Sequence, residues 1–420
     1  MNKEIIVIGG GASGLAAAIA AKEEGRDILL IEKESKLGGI LNQCIHNGFG
    51  LEVFKEEYTG PEYANKYVQK FHESKIDFLL DTTVLHIDKI ENGFEIILSS
   101  KVTGMKKVTC QSIIMSTGCY ERTRGSISIP GDRPYGVITA GSAQRYLNID
   151  GYMIGKKVFI LGSGDIGLIM ARRMYLEGAE VLGVAELMPY SNGLTRNIVQ
   201  CLNDYNIPLY LSHTVTEIHG NDDNRLESIV IQEVNQSYQP IPGTEREFSV
   251  DTLLLSIGLV PDITLMDNLD VEHDLKTKSV KVNQAYETSV PGLFICGNSL
   301  QVHDLVDNVS MESERAGKCA SEFVLAKKIE SNESIKIKAG NNLLFVTPHY
   351  VDFAWASRET VIQFRSTSKI EKALLTVSQG DKELLSKRKS FIVPAEMETF
   401  TLDMNQIEKG SDILVNLEVL

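Results

Sequence analysis

Tryptophan occurs once in the 420 residues and proline only eleven times. The six cysteines, Cys44, Cys110, Cys119, Cys201, Cys296 and Cys319, are scattered and never form Cys-x-x-Cys. That scatter argues against a disulfide framework and offers no ligand spacing for a metal ion or an iron–sulfur cluster. No apolar run approaches the ~20 residues that a membrane-spanning helix needs. No basic block stands out either: 42 Lys and Arg against 56 Asp and Glu leave a formal charge of −14. A nucleic-acid-binding chain needs a basic patch, so that class of function is set aside. Only Met1-Asn2-Lys3-Glu4 precedes the first apolar strand, too little for a signal peptide. Together these gaps predict a reduced, cytoplasmic protein.

Glycine is plentiful, and two glycine groups repeat one pattern. Gly9-Gly10-Gly11-Ala12-Ser13-Gly14 follows the apolar run Ile5-Ile6-Val7-Ile8, and Gly162-Ser163-Gly164-Asp165-Ile166-Gly167 follows Val158-Phe159-Ile160-Leu161. Each opens a helix-like run, and each is followed by an acidic residue at the end of the next strand, Glu32 (with Lys33 after it) or Glu186. The first glycine makes a tight turn, the second lets a pyrophosphate approach the backbone, and the third lets helix and strand pack closely. The helix N-terminus turns free N–H groups and a positive dipole end toward the phosphates. The acidic side chain accepts from a ribose hydroxyl. Two such units in one chain predict two bound dinucleotides. Glu186 with the neutral Leu187-Met188-Pro189-Tyr190 favours NAD(H) over NADP, because a carboxylate pairs with a 2′-hydroxyl and repels a 2′-phosphate.

Along the chain, residues 61–74 read as a helix with Pro61 in its first turn. Residues 78–98 read as a small antiparallel meander with Asn92-Gly93 as its hairpin turn. A buried strand at 112–116 is closed by Thr117-Gly118, and a long helix is expected at 308–328. After residue 340, short strand-like runs alternate with polar turns, which predicts an appended all-β domain of sandwich type.

With these motifs in order, the chain resembles the two-dinucleotide-domain flavoproteins, the group of thioredoxin reductase and the pyridine nucleotide-disulfide oxidoreductases. The likeness covers roughly residues 3–328. It rests also on Gly38-Gly39, Ser116-Thr117-Gly118, Ile257-Gly258-Leu259-Val260-Pro261 and Cys296-Gly297-Asn298. Leu41 to Gly50 and Val302 to Asp307 look typical of a bacterial subgroup that lacks the redox Cys-x-x-Cys.

The resemblance implies an α/β fold. It would have two Rossmann-like three-layer domains, the NAD-binding one inserted into the FAD-binding one. The expected boundaries are 1–125 and 251–330 for the FAD domain, 126–250 for the insert and 340–420 for the β domain. It implies FAD on Gly9, Gly11, Ala12, Ser13, Gly14, Glu32, Lys33, Gly38, Gly39, Thr117, Gly118, Gly297 and Asn298. It implies NAD(H) on Gly162, Gly164, Asp165, Ile166, Gly167, Glu186 and Gly258. The family usually carries Asp where Asn298 stands.

The implied activity is hydride exchange between NAD(H) and FAD. Electrons would be exchanged with a partner dehydrogenase or a small cysteine-rich, iron–sulfur-type carrier. Two alternatives stay open: an NADH oxidase or peroxidase that depends on Cys44, and a flavin-binding electron-transfer subunit without a substrate of its own. Cys44, His46 and His303 are the candidate catalytic residues. For Cys44 the competing reading is a small residue lining the flavin pocket. For the histidines it is a loop residue bonded to backbone. Asp307 is expected to cap the long helix. Arg122 and Arg124 are expected in a solvated loop. Trp355, Tyr350 and Phe353 are expected in a core. The β domain is expected to cover a dimer or partner surface.

Overall fold

The computed structural model describes residues 1–326, 333–355 and 359–420. The chain divides into two compact units, one of residues 1–42, 47–119 and 261–420, the other of residues 43–46 and 120–260.

In the first unit, strand Asn2–Ile8 passes through the glycine turn into helix Ala12–Glu23 and returns as strand Ile28–Ile31. The two strands pair in parallel, Ile5 with Ile28 through Ile8 with Ile31. Their side chains are buried on both faces, which is why the sequence here runs apolar without alternation. Each such burial contributes about 1.5–3 kcal/mol. The helix presents Ala16, Ala17, Ala18, Ala20 and Ala21 to the interior. These small side chains let helix Val306–Ala326 cross closely: a Cβ added to Gly317 would lie 2.3 Å from the carbonyl oxygen of Ala17. The long helix therefore starts two residues earlier than expected, and positions 327 and 328 lie outside the described residues.

The sheet of this unit runs Asp77–Leu79, Ile28–Ile31, Asn2–Ile8, Gly104–Met115, Gly93–Ser100, Thr82–Ile90, with Leu293–Ile295 also beside Gly104–Met115. The antiparallel meander expected at 78–98 holds only from Thr82 on, because Asp77–Leu79 pairs in parallel with Ile28–Ile31 at the opposite edge. The strand expected at 112–116 is the end of Gly104–Met115 in the same sheet. Gly104–Met115 pairs antiparallel with Gly93–Ser100 and, further along, parallel with Asn2–Ile8. It starts exposed and ends with four buried residues, Ile113, Ile114 and Met115 among them. The hydrophobic pattern changes in mid-strand and hides its continuity. Helix Gly60–Glu73 forms where Pro61 suggested, with the Glu62 carboxylate accepting from the Thr59 amide at 2.8 Å.

Residues 334–419 form a five-stranded sheet in the order Tyr350–Asp352, Ser334–Ala339, Ile413–Val419, Ile370–Gln379, Lys382–Ile392. A three-stranded sheet runs Leu343–Thr347, Thr360–Ser366, Glu398–Leu402. Val351, Ile362, Phe364, Val377 and Val415 are among the residues of their own core. This region is tied to the rest of the unit by polar pairs. Gln284 donates to the Asp352 carbonyl at 2.7 Å and accepts from its amide at 2.9 Å, and the Tyr350 hydroxyl donates to Glu272 at 2.6 Å. Trp355 joins the core of the nucleotide fold, edge-on to Phe294, with its indole N–H 3.4 Å from the Glu287 carboxylate. One face of the β region therefore covers its own chain.

The second unit has a parallel five-stranded sheet in the order Val137–Thr139, Thr252–Leu255, Lys157–Leu161, Glu180–Glu186, Leu209–Leu211. Helix Asp165–Leu176 connects the middle pair. A three-stranded antiparallel sheet, His213–Gly220, Leu226–Glu233 and Arg246–Ser249, lies in the same unit. Arg124 departs from expectation. It is buried, and its guanidinium donates to the carbonyls of Ile129, Pro130 and Gly131 at 3.0, 3.2 and 3.1 Å, and to that of Asp132. Its five fixed donors suit a cluster of backbone oxygens, so it clamps a turn and is not solvated.

Candidate functional site

The two glycine turns are built alike. In the first, Gly9 has φ +108°, and an added Cβ would lie 2.3 Å from the Ser116 carbonyl oxygen; at Gly14 it would lie 1.8 Å from the Gly9 carbonyl oxygen. In the second, the matching distances are 2.0 Å from Gly162 to the Ser256 oxygen and 2.6 Å from Gly167 to the Gly162 oxygen. The outer glycines are required by the chain's own packing. The middle glycines are not. A Cβ on Gly11 meets only Gly39 Cα at 3.9 Å, and one on Gly164 only Ser256 Oγ at 3.6 Å. Among the described residues no atom crowds those two positions, so packing does not require glycine there.

Around the first turn, Gly38 donates to the Gly10 carbonyl at 2.8 Å, and a Cβ on Gly39 would come within 2.9 Å of Gly11 Cα. The glycine pair is thus a second wall against the same backbone. Glu32 is buried; one carboxylate oxygen accepts from Gly10 N at 2.6 Å, the other from Glu34 N at 2.8 Å. A carboxylate has about four acceptor positions, so roughly two are unfilled among the described residues. Lys33 is exposed and Ala12 half-buried. The Ser13 side chain turns inward, 2.8 Å from Ser313 Oγ and 3.3 Å from Cys296 Sγ, so only its backbone can serve a phosphate. Thr117 Oγ1 donates to the Asp262 carbonyl at 2.5 Å and Asp262 N to the Gly118 carbonyl at 2.9 Å, fixing the turn that ends the central strand.

Around the second turn, Glu186 is also buried, but its carboxylate is full. One oxygen accepts from Ser163 N at 2.9 Å and from the Ser163 hydroxyl at 2.6 Å. The other accepts from Met188 N at 2.9 Å and Asn192 Nδ2 at 3.1 Å. Asp165 Oδ1 accepts from Leu194 N at 2.8 Å and Asn197 Nδ2 at 2.7 Å, which lays the 191–197 segment over the glycine turn. Ile166 is half-buried, and Gly258 accepts from Arg122 N at 3.0 Å.

The segment after strand Leu293–Ile295 is dense in buried polar groups. Gly297 N donates to Glu312 at 2.7 Å, and Asn298 Oδ1 accepts from His303 N at 3.0 Å while its Nδ2 lies 3.7 Å from Cys119 Sγ. The His303 ring is fully buried, with Nε2 3.2 Å from the Glu312 carboxylate. Its Nδ1 is buried and has no partner among the described residues. His303 is therefore not a loop histidine satisfied by backbone. Asp307 does not cap the helix: it lies inside the first turn, and its carboxylate accepts from Gly50 N at 3.0 Å and Val53 N at 2.9 Å. Glu312 is the residue the sequence did not single out. A helical glutamate normally reads as an exposed face, and only its burial marks it.

Cys44 and His46 belong to the second unit. Gln43 Nε2 donates to the Gly141 carbonyl at 2.8 Å and Asn148 Nδ2 to the Gln43 carbonyl at 2.9 Å, and the Cys44 thiol is 3.7 Å from Gln144 Oε1. His46 is half-buried. Cys44 as a residue keeps some exposed surface, yet its sulfur sits among protein atoms, and desolvation pushes the thiol up to about 12. A redox cysteine needs the opposite shift. Alkylation of Cys44 by iodoacetamide at pH 8, followed by peptide mass spectrometry, is expected to run at least about 100-fold slower than for a free thiol of pKa about 8.5. Comparable rates would mean a thiolate-stabilising setting. Among the described residues, no group of three or more His, Cys, Asp or Glu side chains is placed to hold a metal ion, and no helix is long and apolar enough to cross a membrane.

Two sheets, one mixed and one parallel, each carrying a glycine turn and a buried glutamate at the end of the next strand, define a protein with two dinucleotide-type βαβ units. The chain belongs to the pyridine nucleotide-disulphide oxidoreductase family, which residues 3–313 match. It is 24% identical over 323 residues to the hydrogen cyanide synthase subunit HcnB of Pseudomonas protegens, covering 71% of this chain and 66% of that one. The chain thus spans just under two thirds of that relative's length. It is 24% identical over 298 residues to ferredoxin–NADP reductase 2 of Listeria welshimeri, covering 70% and 84%. Among solved structures, thioredoxin reductase of T. acidophilum matches with a TM-score of 0.64 at 21% identity, covering 77% of this chain and 99% of that one. The bacillithiol disulfide reductase Bdr of Bacillus cereus matches with a TM-score of 0.62 at 17% identity, covering 78% and 100%. These two likenesses bear on the fold.

Proposed function

We propose that the protein is an FAD-dependent oxidoreductase that exchanges hydride with NAD(H) and passes electrons to or from a partner dehydrogenase or electron carrier. The observation that carries this reading is the pair of open middle glycines, Gly11 and Gly164, each beside a buried glutamate. When bound, FAD supplies the two-electron chemistry that side chains lack. The chain's own residues do the rest. The Gly9–Gly14 turn and the first N–H groups of helix Ala12–Glu23 receive the pyrophosphate, and Glu32 takes the ribose on its free acceptor positions. The His303 ring, fully buried with Nε2 3.2 Å from a Glu312 oxygen, lies behind the site and acts on it through Asn298, whose Oδ1 accepts from the His303 backbone N–H. In this reading the FAD domain comprises 1–125 and 251–330 and the NAD domain 126–250. The 340–420 region is a sandwich-like domain, and the protein works in the cytoplasm. Its reductase relatives support a carrier as electron partner.

The test is an anaerobic titration of purified protein with NADH and then NADPH, followed at the flavin absorbance. Yellow protein bleached by NADH is expected; a colourless preparation would remove the reading. A hydrogen bond to a charged group contributes about 1.5–3 kcal/mol. Because the Glu186 carboxylate already holds four protein donors, a ribose hydroxyl can only replace one of them, and Glu186→Ser is expected to cost NADH less than that while narrowing the gap to NADPH. Equal use of both nucleotides by the unaltered protein would contradict the role given to Glu186.

A further inference from the structure

Residues 301–304 join the buried turn Gly297–Ser299 to helix Val306–Ala326, and the Gln301 amide nitrogen, the Val302 carbonyl and both Asp304 carboxylate oxygens are held from the C-terminal β region. Gln301, 1% exposed, donates its amide to Gln363 and lies 3.3 Å from Glu312 Oε2. The Arg365 guanidinium donates through Nη2 to the Val302 carbonyl at 3.1 Å and to the Asp304 carboxylate. Through Nη1 it donates to the carbonyls of Pro394 and Ala395 at 2.9 and 2.5 Å. The second Asp304 oxygen accepts from Met397 N at 2.7 Å. Gln363 and Arg365 are two apart on strand Thr360–Ser366, so they point to the same face of the sheet. His303 sits inside this frame, its ring buried with Nε2 3.2 Å from a Glu312 oxygen and neither ring nitrogen in a hydrogen bond among the described residues.

We infer that Gln363 and Arg365 are positioning residues: by clamping the 301–304 strap they set the His303 ring, and the appended domain is part of the machinery of the flavin site. The inference rests on the proposed flavin reading for its functional half. A guanidinium spans four oxygens in fixed directions, which a lysine ammonium cannot do. Displacing a positioned group by about 1 Å can cost up to about 10²-fold in rate.

The experiment uses the full chain, labelled with ¹³C-histidine, as unaltered protein, Arg365→Gln, Arg365→Lys and Gln363→Met. Lys382→Gln is the control, since it breaks only exposed bonds to Glu408 and the Gln406 carbonyl in the same region. Three quantities are read: the His303 ring resonance, assigned with His303→Gln; the flavin midpoint potential; and the rate of anaerobic flavin reduction by NADH. Arg365→Gln is expected to displace the His303 resonance beyond its linewidth, shift the potential and slow reduction by about tenfold or more. FAD content should stay stoichiometric, Arg365→Lys should recover part of the loss, and Lys382→Gln should match the unaltered protein. A lowered melting temperature with resonance, potential and rate unchanged would overturn the inference. If Arg365→Gln does not fold, Gln363→Met decides by the same readouts. A colourless protein would sink the flavin reading alone; the resonance would still decide whether the strap is set by the β region.

Discussion

Gly11→Ala is expected to give a folded protein that has lost its flavin, and Gly14→Ala a protein that does not fold stably. The two glycines stand three residues apart in one turn, yet a Cβ on the first has 3.9 Å of clearance and on the second would lie 1.8 Å from the Gly9 carbonyl oxygen. A side chain cannot overlap a backbone oxygen, so at position 14 helix Ala12–Glu23 must shift off strand Asn2–Ile8. Overpacking of this kind costs about 1–3 kcal/mol or more, out of a total stability of about 5–15 kcal/mol. At position 11 the methyl group fills space that only a ligand would use. Thermal unfolding separates the two: Gly11→Ala should melt near the FAD-free form of the unaltered protein, Gly14→Ala well below it. Absorbance per polypeptide gives flavin content. If Gly11→Ala keeps a full complement of flavin, the clearance at Gly11 is not a phosphate path.

Trp355→Ala is expected to lower stability by about 3–5 kcal/mol. Trp355 is the largest of the fully buried side chains, and it packs edge-on against Phe294 in the core of the nucleotide fold. Its removal leaves a cavity and takes a donor from Glu287, a buried carboxyl whose pKa desolvation already raises. The melting temperature should fall by the order of 10 °C, and Trp355→Phe should recover most of it. Since this is the only tryptophan, its emission also reports the docking directly: a buried, blue-shifted band in the intact protein should move to the red under mild denaturant before the rest unfolds if the β region undocks first. A drop of no more than a degree or two in Trp355→Ala would mean that the polar pairs at Glu272, Gln284 and Asp304 hold the region without the indole.

Which features could be read from the sequence follows from how local their causes are. Gly9, Gly14, Glu32 and their counterparts Gly162, Gly167 and Glu186 were legible because a tight turn and a strand-end carboxylate are demanded within about thirty residues of chain. Helix Gly60–Glu73 was legible for the same reason, through Pro61 in its first turn. The Asp307 bond to Gly50 spans 257 residues and the Asp304 bond to Arg365 spans 61, and no spacing rule marks either. Arg124 was misread because an arginine among loop residues is usually solvated, and only the convergence of four carbonyls on it says otherwise. Glu312 was hidden by its own helix, where a charged residue every few positions is ordinary.

Under the proposed flavin and nicotinamide reading, the two glutamates would also separate the ligands by how long they stay. A nucleotide can settle on Glu32 without disturbing a single bond the chain already makes. At Glu186 each arrival has to dislodge Asn192 or the Ser163 hydroxyl, and each departure lets them return. The first cleft suits a tenant that remains through many turnovers, the second a visitor whose leaving is helped by the protein closing behind it.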